Sequence, residues 1–298
     1  EKKTQDTDFH YLLDEFADLK VIRFRVPGWD NLSLRQKEYA YHLSEAAKLG
    51  RDITWDQYCK WNLPIRHVVE DILNEYEGDR ECADFQNFTV YAKRLFFANG
   101  IHHHYSEDKF FPECPKEYFQ SLMEAVGDGE QATELLEVIY SPDIYPQRRS
   151  TSKTGDIVEL SAVNFYDGVT REEVDKYYNS MMDPNDKTPI SYGLNTKVVK
   201  EDGKVVEKPW KVGGIYGPAL EKICAELEKA AAVAETDLQK EAIGKLVEYY
   251  RTGDLKTWDD FNIDWVQDTV GTIDFINGFI EDYDDPLGRK ATWEGYVN

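Results

Sequence analysis

Up to about residue 150 the apolar residues recur mainly at helical spacing, and after about Gly155 strand-like and helical spacing are mixed. That change of period limits the fold, because a pattern repeating every 3.6 residues cannot serve as a strand that alternates every two. Helical patterns run from about Asn31 to Leu49 and from about Thr54 to Tyr76, after a short apolar alternation over Val21 to Val26 that Pro27 and Gly28 break. A third begins near Ala83 and is stopped by Asn99-Gly100, residue types that take up the left-handed conformation closing a helix. Pro115 occupies a first-turn position of the next helix, and another runs from near Glu130 to just before Ser141-Pro142.

Beyond Gly155, Ile157 to Tyr166 alternates like a strand. Thr170 to Glu173 forms a capping box that opens a helix to about Met181. Asp202-Gly203 separates two β-rich runs within Asn195 to Trp210, which is the signature of a hairpin. Pro218 starts a helix with apolar Leu220, Ile223, Cys224 and Leu227, and a second helix carries Leu238, Ala242, Ile243, Leu246 and Tyr250. Thr272 to Tyr283 and Trp293 to Val297 read as strands. No repeat or low-complexity linker divides the chain. The expected architecture over residues 1–298 is one α+β body, with 1–150 mostly helical and 151–298 a mixture of helices and antiparallel strands.

A formal charge of −22 on 298 residues repels phosphates and anionic lipid, so nucleic acid is excluded as a partner. The apolar stretches are shorter than the roughly 20 residues that span a bilayer, so no membrane insertion is expected. Cys59, Cys82, Cys114 and Cys224 include no C-x-x-C pair and read as four buried thiols. The first residue is Glu1 rather than Met, which leaves open a removed leader and, with it, the compartment.

The stretch GIHHHYSEDKFF (100–111) raises the question of a metal. Consecutive side chains alternate on a strand and turn by about 100° on a helix, so at best His102 and His104 share a face. No H-E-x-x-H occurs, and the two H-x-x-E fragments, His42 to Glu45 and His67 to Glu70, lack the histidine that would complete an inverted motif. The acidic run Glu281 to Asp285 imitates a calcium loop only out of register: the sixth position from Asp282 is Leu287 and the twelfth is Trp293. Nucleophile elbows and phosphate loops are absent.

Several segments together resemble one family. NFYDGVTREE (164–173), PISYGLN (189–195), GIYGPA (214–219), YYRTGDL (249–255) and above all GFIEDYDDPLG (278–288) are similar to dipeptidyl peptidase III, in the family's order over most of residues 80 to 298 and closest to a bacterial branch. The resemblance implies a two-lobed zinc exopeptidase that releases dipeptides from the N-terminus of oligopeptides. The family's H-E-x-x-G-H motif and its downstream glutamate are missing here. The chain is therefore expected to form most of the lower, substrate-binding lobe, without the zinc-bearing upper lobe and inactive by itself, with the rest of its own polypeptide as a partner.

An enzyme that counts two residues from a peptide's N-terminus must fix the terminal ammonium at a set distance from the reacting bond, which calls for an anionic anchor. By resemblance that anchor is Glu281, with Tyr283 beside it on the same strand face and Glu294 near the same cleft. The segment after Gly100, aligned through Lys109-Phe110, assigns His104 and Tyr105 to peptide contact, and leaves His102 and His103 without a role. Asp282 and Asp284 are expected to deepen the negative field. The resemblance also implies a cytoplasmic location, with a periplasmic or lipid-anchored one if a leader preceded Glu1. A noncatalytic acidic protein-interaction module is the rival reading, and an acidic glycosidase a third.

Overall fold

The computed structural model describes residues 9–298, so the Glu1 terminus lies outside the described residues. Strands β1 (Leu12–Phe16) and β2 (Leu19–Ile22) form a hairpin, so pairing ends before the predicted alternation does. Helix α1 (Leu34–Leu49) opens on a capping box in which the Ser33 hydroxyl accepts from the Gln36 amide and the Gln36 side chain accepts from the Ser33 amide. The helix predicted over 54–76 is two, α2 (Arg51–Tyr58) and α3 (Asn62–Glu75), because the chain becomes extended at Cys59. Helix α4 (Ala83–Ala98) ends as expected, with Asn99 left-handed at φ 56°. Helices α5 (Lys116–Ala125) and α6 (Ala132–Tyr140) complete the first half, with Pro115 capping α5 from just outside.

Ile157 to Tyr166 is not the expected strand. The segment is built of turns and irregular chain, with only Tyr166–Asp167 (β3) paired. Its amides bond elsewhere instead, Ala162 to the Gln147 carbonyl, Val163 to that of Arg148 and Asn164 to that of Gln57 near the end of α2. The capping box opens α7 (Arg171–Asn179), and β4 (Thr196–Glu201) and β5 (Lys204–Pro209) form the hairpin. Asp202 and Gly203 both have positive φ, at 51° and 75°, the conformation that matches the twist of paired strands. Helices α8 (Gly217–Ala232) and α9 (Asp237–Thr252) follow, and then α10 (Leu255–Gln267), which the sequence reading did not separate. Strands β6 (Phe275–Glu281) and β7 (Thr292–Val297) pair antiparallel.

Two large apolar cores result, and their division ignores sequence order. Helices α2 to α6 enclose one, around Trp55, Ile65, Phe88, Leu95, Phe119 and Leu136. The other gathers α8, α9, α10 and the β6–β7 ribbon around Leu227, Leu246, Tyr250, Phe279 and Trp293, and α1 belongs to it through Tyr39, Leu43 and Ala46. Each fully buried aliphatic or aromatic side chain of this kind contributes about 1.5–3 kcal/mol. A third, small cluster of Val169, Val174, Tyr178 and Val198 joins α7 to the hairpin. Three thiols are buried, whereas Cys82 is only half-buried, contrary to the expectation of four.

The free edge of β7 is held by side chains of α2. The buried Gln57 amide accepts from the Trp293 N–H at 2.8 Å and donates to the Ala291 carbonyl at 3.1 Å, and the Thr54 hydroxyl donates to the Trp293 carbonyl. Backbone groups that a neighbouring strand would satisfy are thus paired from a helix.

Candidate functional site

Strand β6 meets β7 in regular register from Phe275 opposite Val297 to Phe279 opposite Trp293, and then slips: Glu281 lies opposite Thr292, leaving Ile280 as an extra residue. This bulge decides the chemistry. Without it Glu281 would share the face of Phe279, which is fully buried in the core. With it the glutamate turns to the face of Thr292 and, two residues along β7, of Glu294. The ribbon therefore carries two carboxylates diagonally across one surface. Glu281 is exposed and Glu294 half-buried. Burial raises the Glu294 carboxyl above its ordinary range, and the negative charges of Glu281 and Asp284 add to this.

Tyr283 does not continue the strand, which ends at Glu281; it stands in the following turn, 56% exposed. Its phenol is raised by burial and then by Asp284, Glu294 and Glu281, so it borders the same negative field from the turn rather than from a shared strand face. The two aspartates that follow are used internally. Asp284 is buried, accepting from Arg148 Nη2 at 3.0 Å and from the Thr292 hydroxyl at 2.8 Å. Asp285 accepts from the amides of Leu287, Arg289 and Lys290 and from the Tyr166 hydroxyl, which pins the loop to β3. The negative field expected of Asp284 is accordingly offset by Arg148. Asp282 alone of the three loop aspartates is exposed.

The histidines separate. His102 is buried, donating from Nε2 to the Tyr145 carbonyl at 2.8 Å, and burial pulls its pKa down to about 4, so the ring is neutral. His103 accepts at Nδ1 from the amides of Tyr105 and Ser106 and faces Asp18 through Nε2 at 3.3 Å. His104 lies against the rings of Phe97 and His103. His102 thus points inward while His104 packs on α4, so even the one pair that could have shared a face is separated. Tyr105 projects into solvent, 87% exposed.

The histidine turn and the β6–β7 ribbon are joined by residues the sequence reading did not single out. Glu107 lies between two arginines, with Oε1 3.5 Å from Arg148 Nη2 and Oε2 3.4 Å from Arg149 Nε. Arg148 holds Asp284, and Arg149 Nη1 donates to the Tyr283 carbonyl at 2.7 Å. The Arg148 guanidinium also lies over the Tyr58 ring, 4.2 Å from its centroid. The only sequence signal was an adjacent arginine pair in an acidic chain. Glu281, Glu294 and Tyr283 are brought together, whereas His104 and Tyr105 connect to them only through Glu107 and the arginines.

Chemically the ribbon presents two carboxylates and a phenol to a cation with several N–H donors, for which charge-assisted hydrogen bonds are the strong interaction. A transition metal is a different matter. Among the described residues no three His, Cys, Asp or Glu side chains converge as ligands, so these residues do not fit a zinc site and no zinc-dependent step is derived from them. No described helix is long and apolar enough to cross a membrane.

Comparison with known proteins supplies the rest. The profile of Peptidase family M49 matches residues 165–298. Dipeptidyl peptidase 3 of Homo sapiens is 25% identical over 308 residues, covering 89% of this chain, and that of Dictyostelium discoideum is 24% identical, covering 90%. The chain spans 42% of the length of each. Among solved structures, DPP III from Caldithrix abyssi superposes with a TM-score of 0.60 at 20% identity, over 90% of this chain and 40% of that one. Dipeptidyl-peptidase III from Corallococcus sp. strain EGB gives 0.59 at 17%, over 92% and 40%. Those two likenesses establish the fold.

Proposed function

We propose that the chain belongs to the dipeptidyl peptidase III family, corresponding to part of the full-length proteins, and that it is the substrate-binding portion of a zinc-dependent dipeptidyl peptidase, with the β6–β7 ribbon capturing the free N-terminus of an oligopeptide. The observation that carries this reading is the bulge at Ile280, which sets Glu281 on one face with Glu294. An ammonium 4 Å from a carboxylate gains roughly 4 kcal/mol at an effective dielectric of 20, before desolvation reduces it. Tyr283 borders the anchor, and His104 and Tyr105 are assigned to the peptide further along. The zinc that the family resemblance implies would be held by residues this chain does not carry; the residues here bind and position. An acidic interaction module accounts for the charge but not for two carboxylates turned to one face by a bulge.

The test uses the full-length enzyme. Glu281→Gln keeps shape and removes charge, so KM for peptides with a free amine should rise by about 10–100-fold, the worth of a hydrogen bond to a charged group, while N-acetylated peptides bind as before. A full-length enzyme that releases no dipeptides sinks the reading.

A further inference from the structure

Glu107, Arg148 and Arg149 form a clamp across segments far apart in sequence. Glu107 has a positive φ of 65° in the turn that carries the histidines, and the Arg148 N–H donates to its carbonyl at 2.9 Å. Its carboxylate forks to both guanidinium groups, one oxygen to each. The arginines divide the loop after β6 between them, Arg148 taking the Asp284 side chain and Arg149 the Tyr283 carbonyl. Asp284 closes the circuit onto β7 through Thr292, the residue opposite Glu281. Arg148 is 4% exposed, and Asp284, the nearer of its two carboxylates, offsets the cost of burying its charge. Beyond Glu281, whose direction the β6–β7 pairing sets, the loop has no strand partner among the described residues, so this clamp and the Asp285 turn are what hold Tyr283 in place beside it.

We infer that Glu107 and Arg149 are positioning residues for the peptide's N-terminus: they set where Tyr283 stands against Glu281 and couple the pair to the histidine turn, so that both parts of the cleft keep one fixed separation. The inference rests on the anchor reading above. It implies that discrimination between a free and a blocked amine depends on side chains that touch neither. Glu107 and Arg149 reach the ligand only through the loop they hold. Arg148, being buried, serves as the fixed post of the clamp, and its removal reports on folding rather than positioning.

The experiment measures tetra-alanine turnover and inhibition by N-acetyl-tetra-alanine in the full-length enzyme and its Glu107→Gln, Arg149→Gln and doubly substituted forms. Misplacing an anchor by a fraction of an ångström should raise KM for tetra-alanine by about tenfold and change kcat by less than about twofold. Inhibition by the acetylated peptide should stay unchanged, so the preference for a free amine falls by the same factor. The double variant should be no more than about twofold worse than either single one, since both break one clamp. Equal weakening toward both peptides, or none toward either, overturns the inference. A wild-type enzyme that binds the two peptides alike overturns the anchor, and the clamp with it.

Discussion

Replacing Lys290 by methionine should remove an unusual pH dependence of stability. The Lys290 side chain is fully buried, and its ammonium donates to the Tyr178 hydroxyl at 2.8 Å and to the Gly193 carbonyl and the Thr196 hydroxyl at 3.1 Å each. Tyr178 and Thr196 donate in turn to Glu207 Oε1. Burial pulls the lysine down to about 7, against the opposing charges of Asp285 and Glu207. An unfolded lysine titrates near 10.4. Between about pH 7 and 10 the unfolded chain therefore holds a proton that the folded one has released, and stability rises with pH, by about 1.36 kcal/mol per unit. Below about pH 7 both forms are protonated and the cost of burying the charge is present in full. From pH 7.5 to 9.5 the wild type should gain about 2–3 kcal/mol relative to Lys290→Met, because the bonds lost with the ammonium shift the variant by an amount that does not vary with pH. Urea unfolding of both proteins at the two pH values measures this. A difference that stays flat across the interval refutes the reasoning, since it would mean that Lys290 keeps its proton in the fold.

Two further outcomes follow from packing. A Cβ on Gly50 would lie 2.1 Å from the Trp293 ring, so Gly50→Ala should destabilise by about 1–3 kcal/mol by pushing β7 off α1; an unchanged urea midpoint would show that the ring can give way. Cys59, Cys114 and Cys224 are buried, and burial pushes the first up to about 12 and the last to about 11, whereas Cys82 is half-buried. Ellman's reagent should therefore titrate one thiol rapidly in the native protein and four in urea, with loss of the rapid phase in Cys82→Ser.

Local chemistry was legible wherever neighbouring residues decide the conformation. The capping box at Thr170, the stop at Asn99 and the turn at Asp202-Gly203 each appear where a few side chains predict them. Ile157 to Tyr166 misled because its alternation reflects burial of Val158, Ala162, Val163 and Phe165 against different neighbours, with no adjacent strand to pair. The face shared by Glu281 and Glu294 was illegible for a related reason. Period-two reasoning assumes an unbroken register, and the slip at Ile280 shows only when β7 is laid beside β6. Arg148 was hidden by distance, since 136 positions separate it from Asp284.

The place of α1 bears on how the protein comes to be folded as it is made. Its inward residues Tyr39, Leu43 and Ala46 belong to the core that α8 and the β6–β7 ribbon close over it. At about 5–20 residues per second, a ribosome that has finished α1 needs about 10–50 s to deliver β7. Until α8 emerges the helix offers an apolar stripe with nothing to cover it, and until β7 follows the cover is incomplete, a standing invitation to premature association. Residues 165–298, the stretch matched by the M49 profile, lack one wall of their own core, so a gene fragment cut to that stretch would express a segment with that core open to water.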